Sequence, residues 1–438
     1  MGGVARRGPG PLRFLSLREV LTSHIDDIAD RRQAAKVNFA LRDCYLSGFA
    51  MFYLQDPSLL EFQRRFQETI QSNNLSTVFG VEQIPADTQL RELIDTHPYE
   101  PLLAVYGQWF HRLRQARLLE RYQVMDGHYL LTIDGSGYFG SEHICCSKCL
   151  SKQRRDGSRH YSHQILQATL VHPEMKQVIP LAPEFIRNTD GTTVQDCETK
   201  AGKRLLGKIR DRHRQLPAII VADSLYSNQP FIEALIARRF SFILSAKPSD
   251  HKSLYQDIEG MRAGKLLDQV QYTDPRGRTH HYEWVNELPL NGRADSLQVN
   301  FLEYRLMRDG KVTYRGAWVT DLPIDEQNVQ QIVRAGRSRW KIENEGFNTL
   351  KNHGYHLEHN FGHGKHNLAE AFFVLNLLAF FAHQIFELVD RLYQQARAGF
   401  SARTEFWNAI RGAFALLLFE SWDQVLQRMN SPPLPAFG

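Results

Sequence analysis

The chain has few of the features that would tie it to an oxidising or membrane setting. It carries only 5 cysteines, an odd number. No apolar h-region follows its Gly- and Arg-rich residues 1–10, so the expectation is reduced thiols in the cytoplasm and not a disulfide framework. The most membrane-like run, 371–382, is too short to span a bilayer and contains Asn376, which predicts a buried core helix and no membrane partner. No phosphate loop, dinucleotide fingerprint or internal repeat is present, which sets aside those nucleotide-binding and repeat classes. Net charge is only +5, with a sequence pI of about 8.8; this permits an anionic partner without demanding one. With 42% hydrophobic and 23% charged residues, disorder is not indicated, and 438 residues are enough for a sizeable core and more than one structural unit.

One stretch stands out against these absences: Arg339-Trp340-Lys341-Ile342-Glu343-Asn344-Glu345-Gly346-Phe347-Asn348-Thr349-Leu350-Lys351. At 3.6 residues per turn Trp340, Glu343, Phe347 and Leu350 share one side, which predicts an inward-pointing Glu343. Glu345 falls on the other side with Lys341, as on a solvated face. Burying an ionised Glu costs several kcal/mol unless a cation or strong hydrogen bonds accompany it. Arg339, one turn earlier, is the plain partner; a divalent metal is the sharper one and needs further oxygen ligands.

Two apolar, β-prone runs could supply them. Residues 128–134 end in Asp134, followed by Gly135-Ser136-Gly137, and residues 218–223 run into Asp223. Continuous apolar runs suit strands buried on both faces, and ligand groups collect where such strands end. Taken singly, an Asp after a strand is more often a helix N-cap or a turn former.

The order Asp134, Asp223, Glu343, with Arg-Trp-x-Ile-Glu before Phe-x-x-Leu-Lys, resembles the DDE transposases of bacterial insertion sequences. It is most similar to the insertion-sequence-four type, which carries a β-rich insertion ahead of the Glu. The helix signature of that family is Tyr-x2-Arg-x3-Glu-x6-Lys. Arg339 matches its Arg and Glu343 its Glu, with Glu345 in reserve. Gly336 stands at the Tyr position, and Lys351 comes one residue late.

The resemblance implies an α/β fold: an RNase H-like mixed sheet flanked by helices over residues 126–395, interrupted by the β-rich segment 264–322. An all-helical unit, 1–125, precedes it and a helical segment, 396–438, follows. In such a core the strands ending at Asp134 and Asp223 are neighbours. The residues agree in outline. Periodicity over 26–52, 58–72 and 102–122 predicts helices, and strands are expected at 129–134, 164–171, 177–181, 218–223 and 240–246, with helices at 193–214 and 230–239. Within 264–322, the strands 269–272, 280–285, 299–307 and 313–319 include an Asp309-Gly310 turn, a strong hairpin signal. Trp284 and Trp318 are expected in the core rather than against DNA.

Basic clusters point towards double-stranded DNA. The strongest holds Lys200, Lys203, Arg204 and Lys208, next to the expected site, and reads as a phosphate-backbone contact. Arg112, Arg114, Arg117 and Arg121 form a second stripe that could track phosphates or simply be solvated. In related transposases the N-terminal helices recognise the element's terminal repeats. Arg339 and Lys351 would touch DNA near the scissile phosphate, and Lys365 and His366 of the connector 359–366 could approach phosphates or belong to a plain loop. Between the first two strands, Cys146 and Cys149 with His160 and His163 could bind zinc, since thiolates and imidazoles suit a tetrahedral ion. A reduced, metal-free loop is the plainer reading, because structural sites usually show wider spacing.

The three carboxylates argue for two-metal phosphoryl chemistry on Mg²⁺, with Mn²⁺ able to substitute. Asp134 would bridge both ions, with Asp223 on one and Glu343 on the other. Cleavage at element ends, joining of the 3′ ends to target DNA, and a homodimer on DNA are what the resemblance implies. A nuclease without strand transfer and an inert DNA-binding relative both remain open at this level.

Overall fold

The computed structural model describes residues 10–33, 37–67, 73–188 and 195–430. Its N-terminal part is helical. Helix α1 (Phe14–Asp26) buries Phe14, Leu17, Leu21 and Ile25, a repeat of three to four residues that turns one stripe to the core. Helix α2 (Leu41–Tyr53) is buried on nearly every side. Helix α3 (Leu59–Phe66) starts at Ser58, whose side chain accepts the Glu61 N–H. Helices α4 (Asp87–Thr96) and α5 (Leu103–Gln115) follow. The periodic stretch 26–52 is therefore not one helix, since α1 ends where it begins and α2 starts only at Leu41. The end of the expected helix 58–72 lies outside the described residues. The arginine stripe is also broken up: Arg112 donates to the carbonyls of Pro11 and Ser16. Arg117 adopts a left-handed backbone and pairs with Glu120. Both heads are engaged within the chain.

A 12-stranded sheet follows. Its strands are β1 (Gln123–Val124), β2 (His128–Ser141), β3 (Leu150–Gln153), β4 (Arg159–Val171), β5 (Ile179–Pro180), β6 (Glu184–Ile186), β7 (Ala218–Ala222) and β8 (Ser241–Ser245), continued by the meander β9 (Asp268–Thr273), β10 (Thr279–Pro289), β11 (Gln298–Arg308) and β12 (Lys311–Thr320). The main path runs β3-β4-β2-β7-β8-β12-β11-β10-β9. β2 and β7 pair in parallel, as do β7 and β8, whereas β4 lies antiparallel to β2. Every residue of β7 is buried, as a strand covered on both faces requires. Between the strands lie α6 (Glu198–Arg212), α7 (Gln229–Ile236) and α8 (Lys252–Ala263); the expected helix start at 193 lies outside the described residues.

Two details differ from expectation. β2 does not stop at Asp134 but runs on to Ser141, because β4 is long enough to pair with it as far as Ser141↔Tyr161. The other is an addition rather than a reversal: the segment 264–322, lying between Asp223 and Glu343, also continues the same sheet, since β12 pairs with β8. The β11–β12 turn has Asp309 and Gly310 both at positive φ, the backbone of a type I′ hairpin. Trp284 and Trp318 are buried.

The chain returns to helices with α9 (Val329–Arg337), a π turn (Ile342–Phe347) leading into α10 (Asn348–Asn352), then α11 (Leu368–Val389), α12 (Arg391–Ala398), α13 (Arg403–Leu416) and α14 (Trp422–Asn430). By length and composition α11 could cross a bilayer, with a mean hydropathy of 1.8, but 89% of its apolar window is buried inside the protein. It is the central core helix. The early helices pack on it: Tyr106 donates to the Val374 carbonyl, and Phe14 meets Phe386 and Trp422. Residues before 125 and after 367 thus share one core and do not close separate ones.

Candidate active site

Asp134 lies within β2, paired in register with Gln167. Gly135 beside it has no spare room, because a Cβ there would come within 2.7 Å of a Glu198 carboxylate oxygen. In the parallel ladder Thr132 faces Val221, which brings Asp223, just past the end of β7, level with Asp134. Asp223 also behaves as a turn former, its Oδ1 accepting the Leu225 N–H at 3.0 Å.

The third acidic group arrives differently from the sequence expectation. Glu343 does not point into the core: its side chain is 47% exposed, and Trp340 is exposed too. Phe347 and Leu350 of the predicted face are buried as expected, but Lys341 and Ile342 are buried in place of Trp340 and Glu343. The reason is local. α9 ends at Arg337, and the π turn Ile342–Phe347 changes the angular phase that a uniform 3.6 period assumes. Lys341 consequently leaves the solvated face predicted for it beside Glu345 and donates to the Met175 carbonyl at 2.7 Å.

Glu343 faces Asp134 across Arg339. One guanidinium nitrogen, Nη1, lies 2.5 Å from Glu343 Oε1 and 3.8 Å from Asp134 Oδ2. Burial, and next the Glu343 charge, push the Asp134 carboxyl up to about 7, although Arg339 and the Gly135 N–H pull the other way. Glu198, the first residue of α6, adds to this negative field. Its Oε1 accepts the Tyr226 hydroxyl at 2.6 Å. Burial drives that phenol upward first, followed by the charges of Glu198, Asp223 and Asp134. Glu343 and Glu198 thus act on Asp134, with Asp223 level with it past the end of β7, and Arg339 is the cation bound between two of these carboxylates. The sequence alone gives Glu198 no role. No local pattern marks it, because its approach to Asp134 depends on how α6 packs against β4 and β6.

Both departures from the helix signature have a physical cause. Gly336 packs against the Trp318 indole so closely that a Cβ would stand 2.7 Å from Nε1; a tyrosine has no room. A π turn accommodates one residue more than an α turn, which accounts for Lys351 following Glu343 one position late.

Two open clefts flank the acidic group. One, of ≈ 730 Å³, is lined by Glu198, His160, Lys351 and Glu358 among others. The other, of ≈ 680 Å³, is lined by Lys247, Arg315, Arg337, Arg339 and Trp340. Lys351 pairs with Glu358 at 2.8 Å at the rim of the first. The basic helix α6 needs correction as a DNA-facing patch: Arg204 is tied to Glu184 and Asp196, and Lys208 to Glu184. These cations neutralise buried carboxylates, which would otherwise carry a large desolvation cost. Lys200 is exposed and Lys203 half-buried on the same helix. The connector's amides are engaged as well, with those of Lys365, His366, Asn367 and Leu368 all donating to Asp95.

The proposed zinc quartet is also revised. Cys146, Cys149 and His163 come together, but His160 does not join them. Residues three apart on a strand face opposite sides, so His160 turns towards Gly140 and Arg154. His363, from the connector before α11, takes the fourth place.

Compared with protein families, residues 147–381 match the one described as the transposase DDE domain, more than half of the chain. The chain belongs to the DDE transposase family. Asp223 and Glu343 of this transposase lie inside the matched region, and Asp134 lies just upstream of it. No curated protein matches the chain. As a transposase it has DNA as its partner.

Proposed function

We propose that this protein is an insertion-sequence-four-type transposase, with an RNase H-like core, that cuts at the ends of an insertion sequence and joins the 3′ ends to target DNA. The observation that carries the reading is the single Arg339 nitrogen in contact with both Asp134 and Glu343. These contacts hold the two carboxylate oxygens within about 6 Å, a span compatible with ions about 4 Å apart. The sheet order supports the same reading, with the Asp134 and Asp223 strands as parallel neighbours.

The donor set fits hard divalent cations. Three carboxylates at one place, one of them raised to about 7 by burial and its neighbour, leave negative charge that Arg339 alone does not balance, and oxygen donors suit Mg²⁺ or Mn²⁺. Asp134, Asp223 and Glu343 would hold two such ions, which when bound activate the attacking water or 3′-hydroxyl and neutralise the leaving oxygen. Arg339 restrains the two carboxylates and, together with Lys351, offers charge to the scissile phosphate. Glu198 fixes the Tyr226 hydroxyl beside the site. The cleft lined by Lys247 and Arg337 supplies cations for the backbone, with exposed Trp340 as an apolar wall. A second copy acting on the other end, as a homodimer, belongs to this proposal.

The test is Mg²⁺-dependent nicking of a duplex bearing the element end. Wild type should nick it and join the 3′ end to a second duplex, while Asp134→Ala and Glu343→Gln should do neither. Nicking without joining would reduce the function to a nuclease, and binding without cleavage in either metal would make the protein an inert relative.

A further inference from the structure

We propose that Cys146, Cys149, His163 and His363 form a structural zinc site that joins the hairpin extending from the Asp134 strand to the connector following the Glu343 helix. The four ligand atoms all lie within 4.8 Å of one another. Zn–S bonds of about 2.3 Å and Zn–N bonds of about 2.0–2.1 Å at tetrahedral angles require edges of about 3.8 Å for S–S, 3.6 Å for S–N and 3.3 Å for N–N. The Cys146–Cys149 sulfurs stand 3.8 Å apart. The sulfur–nitrogen edges are 3.6, 3.4 and 3.3 Å, and the two Nε2 atoms are 3.0 Å apart. These five edges are close to those of a small tetrahedron and the sixth, Cys146 to His363, lies within 4.8 Å, whereas a disulfide would need its sulfurs at about 2.05 Å.

The proton positions agree. His363 Nδ1 lies 2.8 Å from the Gly364 carbonyl, which can only accept, so Nδ1 carries the proton and Nε2 turns a lone pair to the centre. The Cys146 N–H points at the Cys149 sulfur at 3.4 Å, the kind of second contact that steadies a coordinated thiolate. Cys149, His163 and His363 are buried, and all four positions come from the protein, so the site is closed and suited to structure rather than chemistry. Its two thiolates and two imidazoles favour zinc over the magnesium suited to the carboxylates. Cys149 and His363 are 214 residues apart in sequence, and closing a loop of that length in the folded state is where a metal clip gains most.

The experiment is metal analysis of the full chain purified without chelator, incubated with Zn²⁺ and gel-filtered. About one zinc per chain is expected. Cys149→Ser and His363→Ala should fall to a tenth of that or less, while Cys145→Ser, His160→Ala and Asp134→Ala keep it. Loading wild type with Co²⁺ gives a second readout: thiolate-to-cobalt charge-transfer bands are expected, and reading them needs no variant to fold. Wild type without stoichiometric zinc, a Cys146–Cys149 disulfide in its place, or zinc lost in His160→Ala but kept in His363→Ala would overturn the site. So would loss in Asp134→Ala, which would place the ion among the carboxylates. None of these readouts depends on DNA cleavage, so the site and the proposed function can fail separately.

Discussion

Two polar clusters lie along the β2–β4 pair, Asp134 of β2 in one and His163 of β4 in the other, and their construction differs throughout. The carboxylates Asp134, Asp223, Glu198 and Glu343 face an open region between two clefts, and Glu343 is half in solvent. The Cys2His2 cluster is closed, with three of its four members buried. Oxygen donors left open suit a cation that must meet a substrate; sulfur and nitrogen donors that occupy every position suit one that never does. On the two proposed readings, donor chemistry and exposure together, and not acidic residues alone, separate a reacting site from a clasp.

The largest effect should come from breaking the open site alone. Asp134→Ala or Glu343→Gln is expected to lower Mg²⁺-dependent cleavage by on the order of 10³-fold or more, with the melting temperature nearly unchanged. Breaking the closed site should do the converse: Cys149→Ser is expected to lower the melting temperature by roughly 5–10 °C. Calorimetry with and without a chelator would check this, since chelation should destabilise wild type but not the variant.

A third effect distinguishes the two by pH. The Asp134 carboxyl is raised to about 7, so the fold favours its protonated form. For the metal-free chain this stabilisation is full below the ordinary carboxylate value and is lost as pH rises through about 7. Divalent ions need the carboxylate, so half-saturating Mn²⁺ should rise up to about tenfold per pH unit as pH falls below 7. A titration from pH 8 to 6 that leaves it constant would contradict the raised Asp134 carboxyl, which burial first and the Glu343 charge next produce. A smaller effect, about tenfold, is expected from Glu198→Gln on cleavage, with DNA affinity intact, because Glu198 acts on the field around Asp134 and Tyr226.

The smallest contrast separates two kinds of cation. Lys351→Ala should weaken DNA binding and reduce the salt slope by about one. Arg204→Ala should instead lower stability by about 3 kcal/mol, because it leaves the buried Asp196 without its cation and Glu184 with Lys208 alone. Fluorescence anisotropy at several salt concentrations, alongside thermal unfolding, reads both.

Much of this was legible in the chain. The apolar runs into Asp134 and Asp223, the Asp309-Gly310 hairpin and the strand-rich stretch before the Glu all follow from period-two or continuous apolar patterning, which local sequence carries directly. What escaped depended on phase and parity. The π turn at Ile342–Phe347 turned Glu343 outward, and strand alternation excluded His160. The basic look of α6 concealed ion pairs to Glu184 and Asp196, residues that lie on other elements.

By itself the sequence determined which residue types could do chemistry and in what order they occur, because identity and spacing are properties of the polymer. Only the tertiary structure decided which of them meet. Glu198 reaches Asp134, and His363 reaches Cys149, through helix-on-sheet packing and the closure of a long loop. Such proximity is set by the whole fold, so no window of neighbouring residues can encode it.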